Sequence, residues 1–284
     1  FMATRRLDRA RLDSQFPKGG SKSNSMDINI LRFDSLDSTN TEAAKQAKQG
    51  AAEGLCVIAR EQTAGRGRHG RTWSSYKNAG LYFSLVLRPT FDLKHLSLIT
   101  LMAGIAVHDA LEEFGLRPDI KWVNDIHVGD KKVSGILAET AETPTGLAVI
   151  VGIGVNLTSN NLPDEVAQTS TSIERETGSI ITADELAEVL TRYLSYFYDL
   201  LSANGGSREI IRLWRDRSSY FSGKHVRVTL ETEVIEGVTD GLEDNGALRV
   251  RTADGSLHIV QAGDVERLRS ISCLDAAPGT AAKL

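Results

Sequence analysis

Cysteine is scarce: the 284 residues contain two, Cys56 and Cys273, too few for a disulfide framework and without the C-x-x-C spacing of a metal pair. That usage suits a reducing compartment, and the cytoplasm is the expected location. Long apolar runs are missing as well. Residues 96–107 and 147–155 are the longest, and both fall short of the roughly eighteen apolar residues that a membrane-spanning helix needs, so no membrane partner is expected. Surplus positive charge is absent: 33 Lys and Arg stand against 37 Asp and Glu, a net charge of -4. A domain that tracks nucleic acid usually carries a basic excess, so no nucleic-acid partner is expected and small-molecule substrates are. There is no Ser/His/Asp triad pattern, no histidine cluster with metal-ligand spacing and no G-x-x-x-x-G-K-[ST] phosphate loop; the fragment Gly223-Lys224 runs into His225. The first residues mix Arg5, Arg6, Arg9 and Arg11 with Asp8 and Asp13 and lack the apolar stretch of a secretory signal.

With 41% apolar and 25% charged residues, the composition is that of an ordinary globular protein with one large and one small domain. Residues 1–26 hold few large apolar side chains and a Gly/Ser/Lys run, which predicts a disordered leader. A first domain over 27–221 follows. Its pattern reads strand (28–33), helix (41–49, stopped by Gly50), strands (55–59 and 81–87), a long helix (94–114), strand (120–123), a hairpin about Gly129-Asp130 and a buried strand (147–157). A polar loop (158–172) then leads to helices at 183–201 and 208–214. From 222 to 270 the texture changes to short alternating strands with turns at Asp244-Asn245-Gly246 and Asp254-Gly255, the size of an SH3-like β-barrel; 271–284 reads as a flexible tail.

The most informative stretch is Gly65-Arg66-Gly67-Arg68-His69-Gly70-Arg71-Thr72-Trp73. Alternating glycines permit close backbone approach, and each guanidinium offers a planar fork of donors, so the segment is built to close around an anion. Its glycines spell G-x-G-x-x-G, but a strand follows where the dinucleotide fingerprint requires a helix, which rejects that reading. Four further groups stand out: Ser38-Thr39-Asn40, Gln62, Lys121-Trp122-Val123-Asn124-Asp125 with Lys132 to Gly135, and Gly152-Ile153-Gly154-Val155-Asn156. Alone, each has a bland account: a helix cap, a solvated turn, a wet charged face, and a β-bulge with a turn. Together they supply cations and amides without a protein nucleophile, which suits nucleotidyl transfer to a carboxylate, a reaction driven by positioning and charge stabilisation.

In order and spacing, these motifs from about residue 30 to 270 resemble the biotin–protein ligases. The resemblance implies an α+β fold, a mixed or antiparallel sheet backed by helices with an SH3-like C-terminal domain. It also implies a two-step reaction. Biotin and ATP, with Mg²⁺, form biotinyl-5′-AMP, and a lysine of a biotin carboxyl carrier protein then takes the biotin. By the same resemblance Ser38, Thr39, Asn40 and Gln62 line the biotin pocket, and Arg66, Gly67 and Arg68 form a loop that orders over the adenylate. Lys132 meets carboxylate and α-phosphate, with Gly135 beside it, and Arg71, Trp73 and Asn156 meet the nucleotide, Asn156 or its Mg²⁺. Trp73 and Trp122 wall the site. Arg68 and Lys132 are the expected catalytic pair, and Asp125 is a candidate base for the acceptor lysine. The sequence departs from the family at Val123, usually proline, and Ser134, usually glycine or alanine. Family members range from monomers to ligand-strengthened homodimers, and some are repressors with an N-terminal helix-turn-helix. The short stretch ahead of residue 28 points to a single-function ligase. A lipoate or octanoate transferase shares the fold, and the full arginine loop favours biotin over it.

Overall fold

The computed structural model describes residues 26–159, 164–230, 233–261 and 263–267. The leader expected over 1–26, apart from Met26, and the tail expected over 271–284, which contains Cys273, lie outside the described residues.

The first domain is a seven-stranded mixed sheet with helices on both faces. Strands β1 (Asn29–Phe33) and β2 (Leu55–Ala59) pair in parallel. No tight turn can join parallel neighbours, so helix α1 (Thr39–Lys48) carries the chain across. The remaining strands pair antiparallel: β3 (Gly80–Leu87), β4 (Asp119–Lys121), β5 (Asp125–Val128), β6 (Lys131–Thr143) and β7 (Gly146–Asn156), in the order β1-β2-β3-β7-β6-β5-β4.

Alternation along the central strands assigns each face its cover. Leu81, Phe83, Leu85 and Leu87 of β3, with Val149, Val151, Ile153 and Val155 of β7, join the large core under α2 (Leu98–Glu113), α5 (Ala183–Ser202) and α6 (Gly206–Arg215). Helix α2 is apolar almost all round because it is packed on nearly every side. The opposite face carries Val86, Ala148 and Ile150, on which α1 lies through Ala43 and Ala47. Ten residues of helix cover only part of that face. Beyond the N-terminus of α1, the surface around Ser84, Gly152 and Gly154 becomes the floor of a cavity.

Two short helices, α3 (Asp164–Thr169) and α4 (Ile173–Thr177), flank the residues where a polar loop was expected to end. The long helix begins at Leu98 instead of residue 94, because Asp92 caps a separate turn through Lys94 N, 3.0 Å away. Strand β6 runs on to Thr143 as the full partner of β7, a length that the polar sequence Glu139-Thr140-Ala141-Glu142-Thr143 conceals.

The second domain is an antiparallel sheet of β8 (Ser222–Thr229), β9 (Val234–Leu242), β10 (Leu248–Arg251), β11 (Leu257–Val260) and β12 (Asp264–Arg267), ordered β11-β10-β9-β8-β12. Its turn at Asn245-Gly246 docks on the first domain: Ser97 Oγ donates to Asn245 O at 2.5 Å and Trp122 Nε1 to Gly246 O at 3.0 Å.

At the junction of the domains, Arg217 donates to both oxygens of Asp109 on α2, at 2.6 and 2.8 Å, and His108 Nδ1 lies 2.9 Å from the same carboxylate. Burial on its own would raise the Asp109 carboxyl, but the hydrogen bonds from His108 and Arg217 outweigh it and hold the group below its ordinary value. A depressed carboxyl contributes its full stability above the unfolded-chain value, about 3.9, and loses it as pH falls further. Removing one partner of a buried pair strands the other charge, so Asp109→Ala should cost roughly 3–5 kcal/mol in urea unfolding at neutral pH. Asp109→Asn should flatten the fall in stability below about pH 4. A loss under about 1 kcal/mol for Asp109→Ala would mean that the pair does not fasten α2 to the junction.

Candidate active site

A cavity of about 140 Å³ opens on the α1 face of the sheet, at the N-terminus of that helix. Its lining includes Ser38, Thr39, Asn40, Gln62, Arg66, Gly67, Arg68, Arg71, Trp73, Lys132 and Gly135, the site residues expected from the sequence with the exception of Asn156 and Trp122.

The floor is a chain of hydrogen bonds among amides and hydroxyls, with one carboxylate, Glu139, at its edge. Helix α1 starts at Thr39, two residues before the expected position, so Thr39 and Asn40 lie in its first turn; the Ser38 hydroxyl makes no cap bond. Gln62 Oε1 accepts from Thr39 N at 2.8 Å and Thr39 Oγ1 at 3.1 Å, while Gln62 Nε2 donates to Ser75 Oγ at 2.8 Å. Asn40 is held on both sides of its amide: Nδ2 donates to Leu137 O at 3.2 Å and Glu139 Oε2 at 2.7 Å, and Oδ1 accepts from the buried Ser84 hydroxyl at 2.6 Å.

The glycines of β6 and β7 are surfaces for close approach. Pairing along β7 is regular on both edges with no extra residue, which corrects the bulge account of Gly152-Ile153-Gly154. A Cβ on Gly152 would stand 2.2 Å from Asn40 Oδ1, and one on Gly154 would stand 2.4 Å from Trp73 Cε2. Gly135 pairs with Gly154, and the Trp73 indole lies across both. Lys132 reaches the same bed through a real bulge between β5 and β6: Ile126 pairs with Ser134 and His127 with Lys132, leaving Val133 as the additional residue. Without that insertion, Lys132 and Gly135 would face opposite sides of the sheet. Lys132 Nζ sits 5.4 Å from the centre of the Trp73 ring and 2.6 Å from Asp125 Oδ1, a close ion pair away from the hydrogen-bond direction.

The arginine loop folds back on itself through Gly67 N to Arg71 O (2.7 Å) and Trp73 N to Gly65 O (2.9 Å), with His69 at φ +53°. Each of its arginines has a protein partner. Arg66 pairs with Glu139 at 2.9 Å, Arg68 donates to Asn124 Oδ1 at 3.0 Å and Gly263 O at 3.5 Å, and Arg71 pairs with Asp264. Burial draws the Arg68 guanidinium below its ordinary value, against the opposing pull of Asp264 and Asp125.

Two expected positions come out differently. Asn156 shares a strand face with Gly152 and Gly154 but lies beyond the cavity lining, where Nδ2 donates to Thr171 O at 2.9 Å. Trp122 does not wall the site: it is 2% exposed, packs in the large core and donates to the second domain.

Comparison with known proteins gives the arrangement its relatives. The Biotin/lipoate A/B protein ligase family matches residues 32–156, and the Biotin protein ligase C terminal domain matches 221–268. A biotin–[acetyl-CoA-carboxylase] ligase of Paracoccus denitrificans is 35% identical over 240 residues, covering 81% of this chain and 96% of the relative. The chain belongs to the biotin protein ligases. A bifunctional ligase/repressor BirA of Bacillus subtilis (strain 168) is also 35% identical, over 252 residues, 87% of this chain and 76% of its own length. Among solved structures, the biotin protein ligase of Aquifex aeolicus in complex with biotin and ATP superposes with a TM-score of 0.74 at 29% identity, over 85% of this chain and 99% of that one.

In this ligase, sequence reasoning passed over Ser84, Glu139 and the Gly263-Asp264 pair, and it gave Asn124, though part of a motif, no role at Arg68. Ser84 had a readable signal, as a lone serine inside the apolar run of β3. Gly263 and Asp264 had none, because they reach the loop from another domain.

The Trp73 contact is open to test. Trp122 and Trp214 are 2% and 0% exposed, so Trp73 dominates any change in tryptophan emission. Gly154→Ala should displace the indole, red-shift the emission and cost roughly 1–3 kcal/mol through overpacking. An unchanged spectrum together with unchanged stability would refute the contact.

Proposed function

We propose that this ligase activates biotin with ATP to biotinyl-5′-AMP and transfers the biotin to a lysine of a biotin carboxyl carrier protein. The observation that carries the proposal is the polarity of one cavity. Its floor offers neutral amides and hydroxyls from Thr39, Asn40 and Gln62, with Ser84 buried beneath them, suited to an uncharged heterocycle. Its mouth gathers Arg66, Arg68, Arg71 and Lys132, suited to a carboxylate beside phosphates.

In the first step a biotin carboxylate oxygen bonds to the α-phosphorus as the bond to the β-phosphate oxygen breaks, and pyrophosphate leaves. Two anions must meet, so the positive charges of Lys132 and Arg68 lower the barrier by offsetting the charge that builds between them. In the second step the acceptor amine forms an amide at the biotin carbonyl, AMP departs and the amine gives up a proton. Asp125, the positional candidate for that base, stands as counter-ion to Lys132. Trp73 and the loop cover the site and would keep water from the mixed anhydride.

Mg²⁺ belongs with the nucleotide in this reading, since the ion is usually held by substrate phosphates with one or two carboxylates. Among the described residues one cluster of three acidic or histidine groups could hold a metal, His108, Asp109 and Glu112 on α2, and Arg217 already occupies Asp109. Asn156 would serve the nucleotide from outside the present cavity lining. A cytoplasmic location accords with these substrates; no helix among the described residues is long and apolar enough to cross a membrane.

Biotin-dependent exchange of pyrophosphate into ATP tests the proposal. Lys132→Ala should lower exchange by about 10²–10³-fold. Arg68→Ala should retain more of the exchange and release biotinyl-AMP faster, read by trapping free adenylate. Folded protein that gives no exchange at saturating biotin would overturn the activity, and exchange driven by lipoate in place of biotin would move the chain to the lipoate branch.

A further inference from the structure

Glu139 lies on β6, two residues past Leu137 and on the same sheet face, so its carboxylate stands between the cavity floor and the arginine loop. A single oxygen serves both sides: Oε2 accepts from Asn40 Nδ2 at 2.7 Å and from Arg66 Nη2 at 2.9 Å. Asn40 is 4% exposed and has little freedom, since its other amide hydrogen goes to Leu137 O, its Oδ1 accepts from Ser84 and Gly152 packs against it. Arg66 stands at the entrance of the loop, where it bridges to Thr72 and closes the base. A small shift of the Asn40 amide therefore moves the oxygen that holds Arg66, and release of Arg66 leaves that oxygen to Asn40 alone.

We propose that Glu139 is a positioning residue that couples the cavity floor to the arginine loop, transmitting occupancy of the floor to the loop through one shared carboxylate oxygen. The identity of the floor ligand rests on the function proposed above; the mechanical tie does not. Magnitudes set what to expect. The Arg66–Glu139 pair is 48% and 36% exposed, and a pair that open to solvent is a weak clamp. The hydrogen bond from a buried amide to a charged acceptor is the stronger half. Such a tie biases the loop without locking it.

Limited trypsin digestion of the full chain without ligands, followed at Arg68 and Arg71, tests the tie. Cleavage elsewhere in the chain serves as the reference for global stability. Glu139→Ala should raise loop cleavage by about two- to fivefold, and Arg66→Gln should do the same. The double variant should be cleaved no faster than either single one, as expected of residues acting through one contact. Biotin alone should slow loop cleavage in the wild type and lose that effect in Glu139→Ala, with biotin binding measured separately by calorimetry. Should Glu139→Ala fail to fold, Glu139→Gln keeps the shape and the Asn40 bond and should give a smaller change in the same direction. Unchanged loop cleavage in the single variants, additive effects in the double variant, or full biotin protection in Glu139→Ala would each overturn the tie. If biotin binds neither protein, the proposed substrate fails, and the ligand-free digestion still judges the coupling.

Discussion

The Trp73 indole and the Asn40 amide rest on a sheet surface that side chains at positions 135, 152 and 154 would fill. A Cβ would come within 3.0 Å of Trp73 at Gly135, within 2.2 Å of Asn40 at Gly152 and within 2.4 Å of Trp73 at Gly154. Real Cβ atoms do not approach other atoms so closely as at Gly152 and Gly154, and the contact at Gly135 would be tight, so these absent carbons are what permit the floor and the lid to touch the same strands. Glycine inside a strand weakens it, and here the neighbours offset that loss. Both glycine-bearing strands are central and paired on each edge, and the other face of β7 is packed against the large core. A site of this kind therefore has to sit in the middle of a sheet that already has helices behind it.

Charge is handled by a different device. Arg66, Arg68, Arg71 and Lys132 crowd one cavity, and their mutual repulsion would drive them outward if nothing held them. Each has a local partner instead: Glu139, Asn124 with Gly263 O, Asp264 and Asp125. The Arg66 and Arg71 pairs are open enough to water for each to contribute little, on the order of 0–1 kcal/mol. That weakness suits the task. A tightly held, fully buried pair would cost several kcal/mol to break before a ligand could use the cation, whereas a ligand phosphate can replace an exposed carboxylate at small cost. Lys132 is the more sheltered case, with Trp73 beside it and Asp125 only 21% exposed, so its position is the better fixed of the cations.

Much of this was legible in the sequence because it is local. The glycine-arginine loop, the helix start at residues 38–40, the apolar alternation and the change of texture at residue 222 are written within a few residues of one another, and the relatives carry the same fold. What escaped is non-local or hangs on a single step of register. The bulge at Val133 reverses which face Lys132 occupies, and no propensity marks it. The glycines of β7 looked like a bulge because a sequence does not state which foreign side chain will lie on them. Trp122 was expected to wall the site by the family resemblance, yet its indole turns the other way, toward Gly246. Ser84 shows the limit from the other side: the hydroxyl was visible, but its use depends on Asn40, 44 residues away.

The turn at residues 122–124 explains why the second domain is more than an appended interaction module. Trp122 donates to Gly246 O, and Asn124 accepts from Arg68, which also reaches Gly263 O. One short turn thus touches the second domain directly at its first residue and through Arg68 at its last. Ser97, ahead of α2, makes a further contact at Asn245. With the β9–β10 turn fastened to the first domain, the start of β12 is carried to the mouth of the cavity, where Gly263 and Asp264 receive two of the three loop arginines. Displacement of the second domain would take Asp264 from Arg71 and Gly263 O from Arg68 while leaving Arg68 on Asn124 and Arg66 on Glu139, so the far side of the loop depends in part on domain docking and the near side on the sheet. The loop is held from both, and Asp264 is what the second domain adds to the cavity lining.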